Sequence, residues 1–163
     1  YTTEEAIKNQ AATYRKLETA IKGLTRKQLD ARPAEGKWSV REIITHLADT
    51  EIVFGLRYRK ILAEEKPELA AFDQELWAGS LNYDQRDFNS VLEMFRALRR
   101  NNLNVLKLRS AKDWQRIGYH PTYGQLTLGE LANHVVAHDV NHLDQIRRIR
   151  KMVSRGSRGR PGK

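Results

Sequence analysis

Residues 126–146 read LTLGELANHVVAHDVNHLDQI and carry the signals of one amphipathic helix. Thr127 and Glu130 have the spacing of a capping box, in which the threonine hydroxyl accepts from a free amide and the glutamate accepts from the cap amide. Apolar side chains then recur at helical spacing. The pattern predicts a helix from Leu128 to about Met152 with one face turned to a core.

The same start signal occurs at Thr2, Thr25 and Ser39, each followed three residues later by glutamate or glutamine. Four long amphipathic segments in one chain make an all-α four-helix bundle the default fold. The long helices are predicted from Glu4 to Leu24, from Val40 to Glu64, from near Asp84 through Leu106, and from Leu128 to Met152, with a short helical turn after Thr25.

Two connections, residues 65–83 and 110–126, are too long for simple hairpins. Connections of this length are usually functional lids or crossovers. The first is predicted to hold a short helix from Phe72 to Trp77. Aromatic side chains on these segments either cover a pocket or only tether the loops to the bundle; they are Phe72, Trp77, Trp114, His120 and Tyr123.

The length of 163 residues predicts one domain, which we place at residues 1–153. Residues 154–163 are glycine, serine, arginine, proline and lysine, a composition that predicts a flexible tail. The net charge of +9 is concentrated at this end, because residues 147–163 hold eight basic and no acidic residues. The body is nearly neutral, so we expect no specific nucleic-acid site there.

The composition excludes several classes of protein. The chain has no cysteine, which rules out disulfide scaffolds, thiolate zinc clusters, iron–sulfur sites and cysteine nucleophiles. Its apolar runs fall short of the roughly 18 residues that a membrane span needs. We therefore expect a soluble, cytoplasmic protein with a small-molecule substrate and no membrane partner.

Four of the five histidines lie on two predicted helices. His46 falls within the apolar stripe of the second helix. His138 and His142 lie in the stripe of the last helix at i, i+4 spacing, which places their Cβ atoms about 5–6 Å apart. A third imidazole from a facing helix would complete a three-ligand site with one open position, the arrangement of catalytic rather than structural zinc.

Two other arrangements of the histidines fit the same spacing. A single histidine on an apolar stripe commonly pairs with a core carbonyl or carboxylate instead of an ion. His134 lies one turn before His138, so these two could form the pair. If the second helix runs antiparallel to the last, His46 meets the later part of that helix, which favours His138 and His142.

Several segments, in order, resemble the DinB/YfiT-like superfamily of metalloenzymes. They are WSVREIITHLADTE at 38–51, FDQELW at 72–77, His120-Pro121 followed by Gly124, and the run from LTLGEL at 126–131 to HDVNHLDQI at 138–146. The resemblance covers roughly residues 4–152. It implies an up-down-down-up four-helix bundle, a homodimer, and a divalent ion, usually zinc or nickel, bound by His46, His138 and His142.

The resemblance also implies an activity. Members of the family include bacillithiol S-transferases and a mycothiol-dependent maleylpyruvate isomerase. By this resemblance we expect a metal-dependent transferase that uses a low-molecular-weight thiol. An open position on zinc would lower the pKa of a coordinated thiol or water and supply a nucleophile at neutral pH.

The main alternative is a metal-dependent hydrolase. His138-Asp139-x-x-His142 is similar to H-E-x-x-H, in which the glutamate is the general base. Asp139 is one carbon shorter, which disfavours a peptidase. Asp49, Asp139 and Gln145 are candidate partners for the second ring nitrogen of the histidines, or candidate catalytic groups.

A third hypothesis is that the protein is a non-catalytic metal-binding module whose basic tail binds nucleic acid weakly. Binding through the tail alone would be non-specific and steeply dependent on salt. Removing residues 154–163 would then abolish nucleic-acid binding and leave the metal content unchanged.

Overall fold

The computed structural model describes residues 1–156. Within this range four long helices form a bundle, and two short helices, one 3-10 turn and a β-hairpin lie in the connections. The elements are α1 (Thr3–Ile21), α2 (Arg26–Asp30), α3 (Val40–Ala63), α4 (Gln74–Ser80), α5 (Phe88–Lys107), the 3-10 turn (Asp113–Gln115), β1 (Ile117–His120), β2 (Gly124–Thr127) and α6 (Leu128–Gly156).

The first and last helices run parallel. Gln10, in the first half of α1, donates to the Ala132 carbonyl near the start of α6 at 3.0 Å. Ala20, near the end of α1, accepts from Arg150 near the end of α6 at 2.8 Å. Contacts therefore advance along both helices in the same direction.

The two middle long helices, α3 and α5, are parallel to each other and antiparallel to α6. The Arg41 guanidinium lies 5.6 Å from the ring centre of Phe88, so the starts of α3 and α5 are adjacent. Along α3 from His46 to Phe54, the partners on α6 step backwards, from His142 to His134. This confirms the predicted up-down-down-up bundle.

The four predicted capping boxes all form. Both reciprocal hydrogen bonds are present at Thr2, Thr25 and Ser39. At the start of α6, Glu130 accepts from the Thr127 amide at 2.7 Å and donates its own amide to the threonine hydroxyl at 3.1 Å. The local start signals therefore placed these helices correctly.

Two helices begin later than predicted. The third long helix begins at Phe88, not near Asp84, because Asp87 caps it by accepting from the Ser90 amide at 2.8 Å. The short helix before it spans Gln74–Ser80, shifted from 72–77, because the Asp73 carboxylate caps two amides there. Both starts are set by aspartate caps, which do not fit the pattern of serine or threonine followed three residues later by glutamate or glutamine.

The second long connection contains a β-hairpin that the sequence analysis did not predict. Its register pairs Ile117 with Thr127 and His120 with Gly124. Tyr119 also hydrogen bonds to both ends of the stretch 67–69, so the hairpin joins the first long connection. A Cβ on Gly118 would lie 2.9 Å from the side chains of Ile61 and Leu69, so the hairpin presses directly on α3.

The core consists of two apolar clusters with a polar layer between them. On α3 one cluster ends at Ala48 and the other begins at Phe54; on α6 the gap falls between Val136 and Leu143. His138 and His142 lie in this gap. Buried polar side chains of the layer are Gln10, Thr13, Glu51, Arg99, Asn102 and Asp139.

The last helix continues through residues 154–156, three residues into the segment predicted as a tail. The rest of that segment, 157–163, lies outside the described residues. Across the described part of the chain, none of the helices combines the length and apolarity needed to cross a bilayer.

Candidate metal centre

Three imidazoles converge between α3 and α6. One ring nitrogen each of His46, His138 and His142 lies within 4.8 Å of the others. Nε2 of His46 is 3.0 Å from Nε2 of His138. The antiparallel packing of α3 on α6 produces this meeting, and the i, i+4 spacing supplies the pair on α6.

The separation of these nitrogens suits a metal ion. Two nitrogens bound tetrahedrally at about 2 Å each stand about 3.3 Å apart. Burial, and to a lesser extent the neighbouring His142, lowers the pKa of His46 to about 3. Burial also lowers the pKa of His138 well below its ordinary value, so both rings are neutral at pH 7 with a lone pair available for an ion.

His142 is oriented by Gln145. Its Nδ1 lies 2.8 Å from the Gln145 Oε1 atom. With the amide oxygen as acceptor, Nδ1 carries the proton and the lone pair of Nε2 is free. Burial lowers the pKa of His142, and the hydrogen bond to Gln145 opposes this shift.

His46 and His138 are held by packing. The Nδ1 atom of each is buried without a hydrogen-bond partner among residues 1–156. The His46 ring lies 4.9 Å from Trp38, and the His138 ring lies edge-on to Phe54 at 5.6 Å, both measured between ring centres. Aromatic neighbours therefore fix these two rings.

The two aspartates proposed as histidine partners lie elsewhere. The Asp139 carboxylate accepts from Thr13 at 2.7 Å and from both terminal nitrogens of Arg99 at 2.6 and 3.0 Å. Asp49 lies 3.7 Å from Arg86. Neither makes a hydrogen bond to an imidazole in the described part of the chain.

A buried charge network lies beside the histidines. Arg99 pairs with Asp139 and with Glu51, and all three side chains are at most 4% exposed. One guanidinium and two carboxylates leave one net negative charge in the layer, and the charge of Asp139 raises the pKa of His142. The charge of Arg99, in the opposite sense, lowers the pKa of His138, so the network acts with different signs on the two rings of α6.

The first long connection brings aromatic side chains to the site. Phe72 lies 6.4 Å from the His46 ring and 4.7 Å from Trp77, measured between ring centres. Both side chains are partly buried. Phe72 thus lies against the His46 ring and Trp77 packs on Phe72, while their role as pocket-lining residues stays a prediction.

The second long connection forms a neighbouring cluster. His120 is buried, with Nε2 3.1 Å from Arg57. The Tyr123 ring lies 4.7 Å from His120 and 5.3 Å from His134. His134, the alternative ligand, thus faces Tyr123 and is not part of the three-ring group. Burial lowers the pKa of both His120 and His134, and the charge of Arg57 contributes a smaller shift in the same direction.

Trp114 serves as a tether rather than as a pocket wall. It is 6% exposed and packs within the apolar cluster that contains Leu128 and Leu131. Its side chain thus fastens the second long connection to the start of α6.

A groove that the sequence analysis did not predict opens beside His142. It has a volume of about 590 Å³ and runs along α6 from His142 and Gln145 towards Met152. The lining positions on α6 recur at 142, 145, 149 and 152, one helical face. That periodicity was visible in the sequence, but the opposite wall comes from residues 33–38 and α4, which no local pattern places there.

A sequence model of the DinB superfamily matches residues 11–146 of this chain. The chain belongs to the DinB superfamily. The match includes parts of α1 and α6, all of α3 and α5, and the three converging histidines, in agreement with the resemblance of the sequence motifs.

Individual relatives of this superfamily extend over most of the chain. A protein of Oceanobacillus iheyensis is 29% identical over 132 residues, covering 81% of this chain and 76% of the relative. A protein of Bacillus subtilis, YfiT, is 27% identical over 139 residues, covering 85% and 78%. Both bear the name "putative metal-dependent hydrolase".

A solved structure is also similar. YfiT from Bacillus subtilis superimposes with a TM-score of 0.87 at 25% sequence identity, covering 93% of this chain and 87% of that one. It is described as a probable metal-dependent hydrolase with an unusual four-helix bundle topology. The fold of this DinB superfamily member is thus the fold of YfiT.

Proposed function

We propose that this protein is a metal-dependent hydrolase whose divalent cation is held by His46, His138 and His142. The observation that carries the proposal is the convergence of three ring nitrogens within 4.8 Å. The names of its relatives support hydrolysis. They give no support to the thiol transferase expected from the family resemblance.

The chemistry needs one open position at the centre. A divalent cation held by the three imidazoles would supply a water of lowered pKa and a Lewis acid at the bond to be broken. Gln145 fixes the ring of His142, while Trp38 and Phe54 fix the other two. Imidazole donors suit zinc and nickel, and we propose one of these two as the native ion.

The position of Asp139 favours small substrates over peptides. In H-E-x-x-H peptidases the residue after the first histidine is the general base. Here Arg99 and Thr13 occupy the Asp139 oxygens, in a side chain that is only 2% exposed. We therefore propose that a small ester or amide enters through the groove beside His142.

The metal centre is tested by elemental analysis of the purified protein. We expect about one divalent ion per chain in the wild type. His46→Ala and His142→Ala should lose it, because each leaves two ligands. His134→Ala is the matched control on α6 and should keep the ion. Full metal retention in both ligand variants would overturn the site.

The reaction is tested with zinc-loaded protein on a panel of p-nitrophenyl esters and anilides, with thiol conjugation to monochlorobimane run beside it. Ester or amide hydrolysis that disappears in His142→Ala supports the proposal. Conjugation without hydrolysis would replace it with thiol transfer. Absence of both activities from a metal-loaded protein would favour the non-catalytic module.

A further inference from the structure

The groove beside His142 has the dimensions of a ligand site. Its volume of about 590 Å³ falls within the range of small-molecule pockets. His142 and Gln145 stand at one end, so a molecule in the groove has one end at the candidate metal centre. Six residues further along α6, Arg148 lines the same groove, about 9 Å away by helical rise.

The floor of the groove is apolar. Ile43 and Ile149 are almost fully buried beneath it, and the indole of Trp38 is partly exposed to it. Such a floor favours a hydrocarbon or aromatic body over a sugar or a bare ion.

The rim of the groove carries unpaired positive charge. Lys37 and Arg148 both line it, and neither side chain has an ion pair or hydrogen bond within residues 1–156. By contrast, the neighbouring Arg147 pairs with Asp144 at 2.8 Å. Glu75 also lines the groove, so its lining keeps one net positive charge.

From the groove, its apolar floor and its two unpaired cations, we propose a substrate class: a small amphipathic acid. Its apolar body lies on Trp38 and Ile149, its anionic group is bound by Lys37 and Arg148, and its reactive end reaches His142. This inference rests on the proposed metal centre and adds the charge and shape of the molecule that the centre acts on.

The test uses zinc-loaded full-length protein and pairs of hydroxamates. Each pair has the same chain length, spanning about 9 Å, and ends either in a carboxylate or in a methyl group. Calorimetry should show the carboxylate form binding about tenfold more tightly, the size expected for two exposed ion pairs. The advantage should shrink in high salt.

Two double variants assign this advantage to the groove. The Lys37→Gln/Arg148→Gln variant should lose the tighter binding of the carboxylate form and should bind the methyl form as the wild type does. The Arg147→Gln/Lys151→Gln variant removes the same amount of charge from α6 outside the groove. It should retain the tighter binding of the carboxylate form.

Three results would overturn the inference. Equal affinity of the two forms for the wild type would refute the groove while leaving the metal centre intact. An equal loss in both double variants would show a general charge effect rather than a site. Failure of both hydroxamates to bind the zinc-loaded protein would refute the groove as the approach to the ion, while the elemental analysis decides the metal centre separately.

Discussion

Arg99 of α5 hydrogen bonds to the other three long helices, α1, α3 and α6, at the level of the candidate metal centre. Its Nη1 donates to the Gln10 carbonyl at 2.9 Å and to Asp139 at 2.6 Å, and its Nη2 donates to Asp139 at 3.0 Å and to Glu51 at 2.8 Å. Burial alone would lower the pKa of Arg99, but the charges of Asp139 and Glu51 raise it, so the guanidinium stays charged.

Replacing Arg99 with methionine preserves length and helix propensity but removes four hydrogen bonds. Two carboxylates then remain buried without their cation. Removing one partner of a buried ion pair costs about 3–5 kcal/mol, a large part of the roughly 5–15 kcal/mol that stabilises a domain. With a urea m value of about 2 kcal/mol/M, the unfolding midpoint falls by about 2 M.

The assay is equilibrium urea unfolding of metal-free protein, followed by circular dichroism. Arg100→Met, an exposed position on the same helix, is the matched control and should change stability by at most about 0.5 kcal/mol. Adding Asp139→Asn to Arg99→Met should recover part of the loss, since it removes one stranded charge. A loss below about 1 kcal/mol in Arg99→Met would refute the reasoning.

Two further predictions concern the histidines directly. Metal-free protein should lose stability as the pH falls below about 6.5, because the pKa of His46 is about 3 when folded and near 6.5 when unfolded, so the unfolded state binds the proton. At pH 5 this amounts to about 2 kcal/mol from His46 alone, and identical pH dependence of the urea midpoint in His46→Gln would contradict it. Gln145→Leu removes the acceptor that orients His142 and should weaken zinc binding about 10- to 100-fold in a chelator competition, whereas Gln145→Glu keeps an acceptor. Unchanged zinc affinity in Gln145→Leu would contradict that role.

Short-range patterns in the sequence predicted the presence of the four long helices, the starts of three of them, and one face of the site. The capping boxes at Thr2, Thr25, Ser39 and Thr127 are contacts between residues three apart, so they form wherever the helix starts. The placement of His138 and His142 on one face follows equally from the helical repeat. These features are local, and local geometry can be read from spacing.

Other features required the tertiary structure. His46 meets His142 only because α3 packs antiparallel to α6, and Asp139 turns to Arg99 because three other helices place their polar side chains in the same layer. The hairpin and the groove are formed by segments far apart in the chain. Their positions depend on how apolar faces pack against one another, and the periodicity of one helix does not specify its neighbour or their relative register.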